Sequence, residues 1–219
     1  MPQVRLSWLD RWSGPVFVVL AFLSAAAVSL PESSDSPDRI RALYDAHRTA
    51  YVVAQLAGLV GVGMLLAFVG ALGRAPETRH RRTMVSGLAL AVAATATNLA
   101  VLVLCLPWGL SDVLVHRAAV ATDLTDDVLF AAFAVFTAML ALSRLPAWLR
   151  ALLTAVAALC AARAVEPWWT DPRLKLAAPL LTLTALLMVA LRLLSAGKEV
   201  GTGREEAADD TWDPSARVG

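Results

Sequence analysis

Three carboxylates within one apolar stretch are the strongest chemical feature of this sequence. Asp123, Asp126 and Asp127 have i, i+3 and i+4 spacing, so they share one face of a helix. His116 lies seven residues earlier, close to the same stripe. Three neighbouring carboxylates cannot all be charged in a medium of low dielectric constant unless a cation compensates them; otherwise at least one holds a proton. The pattern therefore predicts either an acid or a cation site.

The same aspartates have a simpler interpretation, in which they cap the N-terminus of a helix. Acidic side chains are favoured there by the helix dipole, and they would remain in the headgroup water. Asp127 fits this less well, because only 15 residues, 128–142, separate it from Ser143. Those residues span about 22 Å as a helix, which is short for the hydrocarbon core of a membrane.

Further polar residues lie toward the same end of the apolar stretches. A charged side chain in hydrocarbon costs at least about 2.5 kcal/mol, so those that persist usually face a partner or a wet cavity. We therefore expect a polar cavity at this end, with the three aspartates and Glu166 as candidate catalytic groups. The candidate substrate-binding residues are His47, Gln55, Asn98, Trp108, His116, Arg163, Trp168 and Trp169.

Arg163 and the two indoles each allow two interpretations. Glu166 lies three residues after Arg163, which suits a local ion pair. In the alternative, Arg163 lies across from the aspartates of the preceding stretch. Trp168 and Trp169 are typical of the aromatic belt at a membrane interface, but their faces could also stabilise a positive charge in a lipophilic site.

The sequence offers little support for a metal or a cofactor. His47 and His116 could join an acidic residue around zinc, but two distant histidines are not a ligand pattern. The sequence has no pair of intramembrane histidines for haem, no P-loop and no G-x-S-x-G motif. Cys105 and Cys160 lie in separate apolar stretches and are expected to be core residues. We predict neither metal nor cofactor.

The composition indicates that membrane-spanning helices position these residues. Of 219 residues, 58% are apolar and 17% are charged, and the mean hydropathy is +0.63. The charges fall between apolar stretches of about 20 residues, the length of a transmembrane helix. These stretches are 14–30, 50–72, 83–106, 121–142, 147–165 and 174–194. We therefore predict an all-α fold, a polytopic bundle of six transmembrane helices in the cell membrane.

The charge distribution predicts the orientation of this bundle. Twelve of the 19 basic residues fall at the N-terminus, in the second and fourth connections and in the tail. The positive-inside rule then places both termini in the cytoplasm. The first stretch, with residues 25–27 all alanine, would also suit a cleaved secretory signal, but its length and the flanking Trp8 and Trp12 favour a retained span. The net charge of +1 argues against a nucleic-acid partner.

Two segments lie outside the spans. Ser36, Pro37 and Asp38 have the residue types that begin a helix, so we expect an outer helix over 37–49 that continues into the second span. Residues 196–219 are rich in glycine, acidic residues and alanine without an apolar period, which predicts a disordered cytoplasmic tail. Small residues at four-residue spacing, such as Ala54 and Gly58, indicate close helix packing, within the bundle or with a partner or a second copy.

The chain resembles small six-span membrane proteins common in actinobacteria. The resemblance includes the Gly14 span, the segment Ala42-Leu43-Tyr44-Asp45-Ala46-His47-Arg48, the arginine-rich second connection and the Asp-led fourth span. It implies a fold and a compartment. A looser resemblance, in size, spans and embedded acidic residues, is to compact integral-membrane terpene cyclases. Asp123-Leu124-Thr125-Asp126-Asp127 is similar to the D-D-x-x-D motif of prenyl-diphosphate enzymes read in reverse.

These patterns favour a membrane-embedded enzyme that acts on a lipophilic substrate, such as an isoprenoid, by acid-initiated cyclisation or isomerisation. The alternatives are a proton- or cation-coupled carrier or binding protein for a small solute, and a membrane subunit without chemistry. A carrier should have polar groups that continue to the cytoplasmic side, and spans two to five lack them there. The expected partners are a lipophilic small molecule and membrane lipids.

Overall fold

The computed structural model describes residues 8–26, 35–75, 78, 81–105, 111–165 and 172–209. At positions 10, 11, 26, 172–176 and 196–209 it describes the backbone alone. Within these ranges the chain forms six helices and no strand. The helices are α1 (Trp8–Ala26), α2 (Pro37–Arg74), α3 (Arg81–Leu104), α4 (Asp112–Ala141), α5 (Ala147–Ala164) and α6 (Pro172–Asp209).

The prediction of an all-helical membrane bundle is confirmed. Among the described residues, five helices are long and apolar enough to cross a membrane. The first helix differs, because its apolar part is the shorter segment Trp12–Ala25. The expected first span, 14–30, continues past this helix into residues outside the described ranges.

The helices pack in the order of the sequence. Each contacts its neighbours along the chain, α6 packs against α1, and α2 also contacts α4. The connections are short, so successive helices run antiparallel. The C-terminal ends of α1, α3 and α5 therefore lie together with the N-terminal parts of α2, α4 and α6. We call this the cavity end, for the cavity described below, and the opposite end the arginine end.

A main apolar core fills the middle of the bundle, with Leu65, Phe68, Phe136, Leu149 and Leu186 among its fully buried side chains. Close approach of α2, α3 and α4 depends on Gly87, where an added Cβ would lie 2.5 Å from a methyl group of Val69. That distance is shorter than any tolerated contact, so a small residue is required at this crossing.

The helix α2 extends past the membrane thickness at the cavity end. Its 38 residues correspond to about 57 Å of helix against a hydrocarbon core of about 30 Å. Ser36 occupies the N-cap position and accepts a hydrogen bond from the amide of Arg39 at 3.4 Å. The helix is kinked at His47, which has φ −124° and ψ 19°. The segment before the kink packs with the end of α3 and the start of α4 around Ile40 and Tyr44.

Helix α6 is longer than the sequence indicates. It continues to Asp209 and so includes much of the segment from residue 196 that was expected to be disordered. A span that is already helical removes the cost of nucleation, so the strong helix formers Arg204, Glu205, Glu206 and Ala207 can extend it. Residues 210–219 lie outside the described ranges.

Candidate functional site

A cavity of about 200 Å³ lies inside the cavity end of the bundle. Five helices line it, namely α1, α2, α3, α4 and α6. Most of its wall is apolar and includes Val62, Leu129 and Leu183. Its polar groups come from Ser24, Tyr51, Gln55, Thr97, Asn98, Asp126 and Thr182.

Asp126 belongs both to this cavity and to an ion pair between α4 and α5. Arg163 Nη2 lies 3.0 Å from Asp126 Oδ2, and Arg163 Nη1 lies 3.5 Å from Asp127 Oδ1. The Arg163 side chain is 15% exposed, and the two carboxylates are about 30% and 29% exposed. Arg163 therefore faces the aspartates of the fourth span, which is the second of the two arrangements that the sequence allows.

The aspartates do not cap a helix N-terminus, so that interpretation is wrong. Helix α4 begins at Asp112, and Asp123 is the twelfth residue of the helix. The helix dipole acts on side chains within the first turn only. All three aspartates lie about three turns or more inside, so they need partners of another kind.

Gln55 is the most deeply buried polar side chain of the cavity that makes no hydrogen bond. It is 8% exposed and lines the cavity. Its amide makes no hydrogen bond to another residue in the part of the chain that the structure describes, and it reaches the space of the cavity instead of being enclosed by protein. Buried amides almost always have hydrogen-bond partners. This side chain therefore indicates that the cavity binds a molecule that can form a hydrogen bond with the amide.

Asn98 lines the same cavity from α3. Its Nδ2 donates a hydrogen bond to the carbonyl oxygen of Ala94 at 2.7 Å. Its Oδ1 rests against Gly58, where an added Cβ would lie 2.0 Å away. Glycine at position 58 therefore makes room for the Asn98 amide in the cavity wall.

Two hydroxyl groups of the cavity wall already donate to the backbone. Thr97 Oγ1 lies 3.1 Å from the carbonyl oxygens of both Ala93 and Thr125. Thr182 Oγ1 donates to the carbonyl oxygen of Ala178 at 2.7 Å. The hydroxyl protons of Thr97 and Thr182 are therefore not available to a molecule in the cavity.

Aromatic rings complete the wall around Asp126. Tyr51, Phe130 and Phe133 line the cavity, and the guanidinium carbon of Arg163 lies 5.1 Å from the centre of the Phe130 ring. A cation within about 6 Å of a ring face is attracted by the ring quadrupole. The protein already uses one of these rings to stabilise a positive charge.

The sequence-predicted site residues divide into three groups. Gln55, Asn98 and Asp126 line the cavity. Asp123, Asp127, Arg163, His47 and His116 do not, and both histidines are exposed. Glu166, Trp108, Trp168 and Trp169 lie outside the described residues. The three residues on the wall share one property in the sequence, because each is a polar residue inside an apolar helix.

The other two aspartates and the histidines have different surroundings. Asp127 shares Arg163 with Asp126. Asp123 acts electrostatically on Tyr44, a buried residue in the part of α2 that precedes the membrane-spanning segment. Burial raises the pKa of Tyr44 above its ordinary value, and Cys105, Tyr51 and Asp123 raise it to a smaller extent. The phenol of Tyr44 is therefore neutral. His47 lies at the kink of α2, and His116 is on the solvent side of the second turn of α4.

Sequence reasoning missed the aromatic lining, Tyr51, Phe130 and Phe133. Aromatic residues in an apolar helix are equally suited to the core, the lipid face or a cavity. The sequence feature that could have predicted the cavity is the set of small residues that line it, such as Ala21 and Gly58. Their short side chains leave the space that the cavity occupies.

The arrangement suits recognition of a molecule with an apolar body and one polar end. Within the described ranges no three His, Cys, Asp or Glu side chains lie close enough together to hold a metal ion. The carboxylate that reaches the cavity is held in an ion pair. A function for this chain has to follow from the cavity itself, because no protein family, no curated protein and no solved structure matches the chain.

Proposed function

We propose that this protein, in the cell membrane, binds a small and mainly apolar molecule that has one hydrogen-bonding end group. The buried amide of Gln55 is the observation that carries this proposal. The Gln55 residue is 8% exposed, and its amide faces the cavity instead of a protein partner. A ligand in the cavity can therefore donate a hydrogen bond to the amide oxygen or accept one from the amide N–H groups.

The size of the cavity limits the ligand. An engineered cavity of roughly 150 Å³ in another protein binds benzene, and the volume of about 200 Å³ is somewhat larger. The enclosed part of the ligand is therefore about ten non-hydrogen atoms, the size of a ten-carbon isoprenoid or a small aromatic compound.

Acid-initiated cyclisation or isomerisation of an isoprenoid is the second candidate function. The aromatic lining favours it, because Tyr51, Phe130 and Phe133 could stabilise a carbocation through their faces. The acid is the weaker part of this candidate. Asp126 is ion-paired with Arg163, and a charged carboxylate has no proton to donate, so Asp123 would have to supply the proton from outside the lining.

Binding can be tested with ten-carbon probes and a cavity-filling variant. We expect geraniol or geranylamine to bind the full-length protein in nanodiscs, measured by calorimetric titration against empty nanodiscs. Ala94 lines the cavity, so Ala94→Phe should abolish binding by filling the space.

Ala96→Phe is the matched control, because Ala96 lies on the same helix with its side chain exposed on the outside of the bundle. It should bind the probes as the wild type does. If neither probe binds, or if Ala94→Phe and Ala96→Phe bind equally well, the proposed function is wrong. Conversion of geraniol to a cyclic product, followed by mass spectrometry, would favour the second candidate.

A further inference from the structure

Seven polar residues of the described chain line the cavity, and four of them already interact with other parts of the protein. Thr97 and Thr182 direct their hydroxyl protons to backbone carbonyls. Asp126 belongs to an ion pair, and Tyr51 interacts with neighbouring side chains. The remaining polar side chains of the wall are Ser24, Gln55 and Asn98.

These three side chains offer donors as well as acceptors. The hydroxyl of Ser24 and the amide of Gln55 make no hydrogen bond to another described residue. Asn98 donates one amide N–H to the carbonyl oxygen of Ala94 at 2.7 Å, which leaves its second N–H and its Oδ1. Because a hydroxyl and an amide can each donate and accept, an end group that satisfies this wall has to do both.

Three helices bring these groups to one part of the wall. Ser24 Oγ lies 3.1 Å from the position that an added Cβ of Gly58 would take, and Asn98 Oδ1 lies closer to the same position. Gln55 lies three residues before Gly58 on α2, so the two share a face of the helix. The hydroxyl of Ser24 and the amides of Gln55 and Asn98 therefore form one neutral polar cluster in a mainly apolar cavity.

Both ends of the Gln55 amide reach the open space of the cavity. The residue is more than nine-tenths buried, but neither Oε1 nor Nε2 is among the buried polar atoms that lack a partner. Since the amide makes no hydrogen bond within the described chain, both atoms must contact the cavity space. Gln55 thus presents an acceptor and a donor side by side in one plane.

We propose that the end group of the ligand is a primary carboxamide, which pairs with the Gln55 amide and has Ser24 and Asn98 beside it. This inference rests on the proposed binding function and names its ligand class. A primary carboxamide also holds a donor and an acceptor side by side, so two parallel hydrogen bonds can form with Gln55. A hydroxyl has its donor and acceptor on one atom, and a ketone has no donor.

The ligand class is tested by two probes of the same shape that differ in their hydrogen-bond donors. Geranamide ends in a primary carboxamide, and its methyl ketone analogue has CH₃ in place of NH₂ and keeps only the carbonyl acceptor. Both probes and geraniol are titrated into the wild-type full-length protein in nanodiscs, with binding corrected for partition into empty nanodiscs. We expect geranamide to bind about tenfold more tightly than the ketone, because only the carboxamide donates to the Gln55 oxygen.

A pair of variants on α2 locates the effect. Gln55→Met removes the paired donor and acceptor, so the preference for geranamide over the ketone should fall to about twofold or less. Most of this change should come from weaker binding of geranamide. Leu56→Met is the matched control, because Leu56 is 51% exposed and does not line the cavity. It should keep the preference of the wild type.

The outcomes separate this inference from the function on which it rests. If the ketone binds as tightly as geranamide, or if geraniol binds and neither carbonyl probe does, the carboxamide class is wrong although the cavity still binds small molecules. An undiminished preference in Gln55→Met, or its loss in Leu56→Met, would also overturn the inference. If none of the three probes binds, the proposed function and the ligand class fail together.

Discussion

At the scale of single residues, Gln55 is placed for recognition and makes no hydrogen bond to another described residue. Its amide reaches the space of a mainly apolar cavity, so an apolar side chain of the same length removes no hydrogen bond between residues. We therefore predict that Gln55→Met changes the free energy of unfolding of the unliganded protein by less than about 1 kcal/mol. The same variant should bind geranylamine and geraniol more weakly. Thermal unfolding in one detergent and titration in nanodiscs check the two effects, and a destabilised variant would show that Gln55 has a partner in the unliganded protein.

Gly58 and Gly63 provide a matched pair on α2. An added Cβ at Gly58 would lie 2.0 Å from Asn98 Oδ1, whereas at Gly63 it would meet nothing within 4 Å. Gly58→Ala should displace Asn98 and lower the free energy of unfolding by about 1–3 kcal/mol. Gly63→Ala should raise it by up to about 1 kcal/mol through helix propensity. Thermal unfolding of both variants compares them, and equal effects would mean that Asn98 does not rest on Gly58.

At the scale of helices, the ion pair between α4 and α5 holds two half-buried carboxylates inside the bundle. Removing one partner of such a group leaves uncompensated charge, which costs more than the pair itself contributes. We predict that Arg163→Met lowers the free energy of unfolding by about 2 kcal/mol, less than the loss for a fully buried pair because the carboxylates are partly exposed. The triple variant Arg163→Met, Asp126→Asn, Asp127→Asn should recover most of this loss. Unfolding of the triple variant at a temperature no higher than that of Arg163→Met would contradict the prediction.

Helix geometry also explains which parts of the site the sequence could predict. The sequence could predict Asp126, Gln55 and Asn98, because a polar side chain in an apolar helix usually faces a polar partner or a cavity. His47 and His116 are polar residues near the same ends of the apolar stretches, but α2 and α4 begin well before those stretches. Both histidines consequently lie on exposed faces beyond the cavity. The packing order of the helices decides which faces meet, and a single helix does not encode that order.

At the scale of the whole molecule, the described carboxylates are confined to one end of the bundle, whereas described arginines lie at both ends. The described carboxylate side chains, Asp35, Asp38, Asp45, Asp112, Asp123, Asp126 and Asp127, all belong to the N-terminal parts of α2 and α4 or the residues before them, at the cavity end. The arginine end has Arg74, Arg81, Arg82, Arg144, Arg150 and Arg192. The exposed Trp8, Trp12 and Trp148 lie at this end too, where indoles suit the membrane interface.

This segregation predicts that the arginine end faces the cytoplasm and that the cavity lies in the outer half of the membrane. Anionic lipids of the cytoplasmic leaflet attract arginines by about 1 kcal/mol for each residue near the surface, and basic connections resist translocation. Reporter fusions after Arg82 and after Leu194 should therefore give cytoplasmic signals, and a fusion after Ser36 should not. Reversing the charge of Arg81 and Arg82 to Glu should weaken the orientation, because it removes basic residues from the compact second connection. A non-cytoplasmic signal after Arg82 in the wild-type chain would invert the bundle, and the cavity would then receive its ligand from the cytoplasmic half of the membrane.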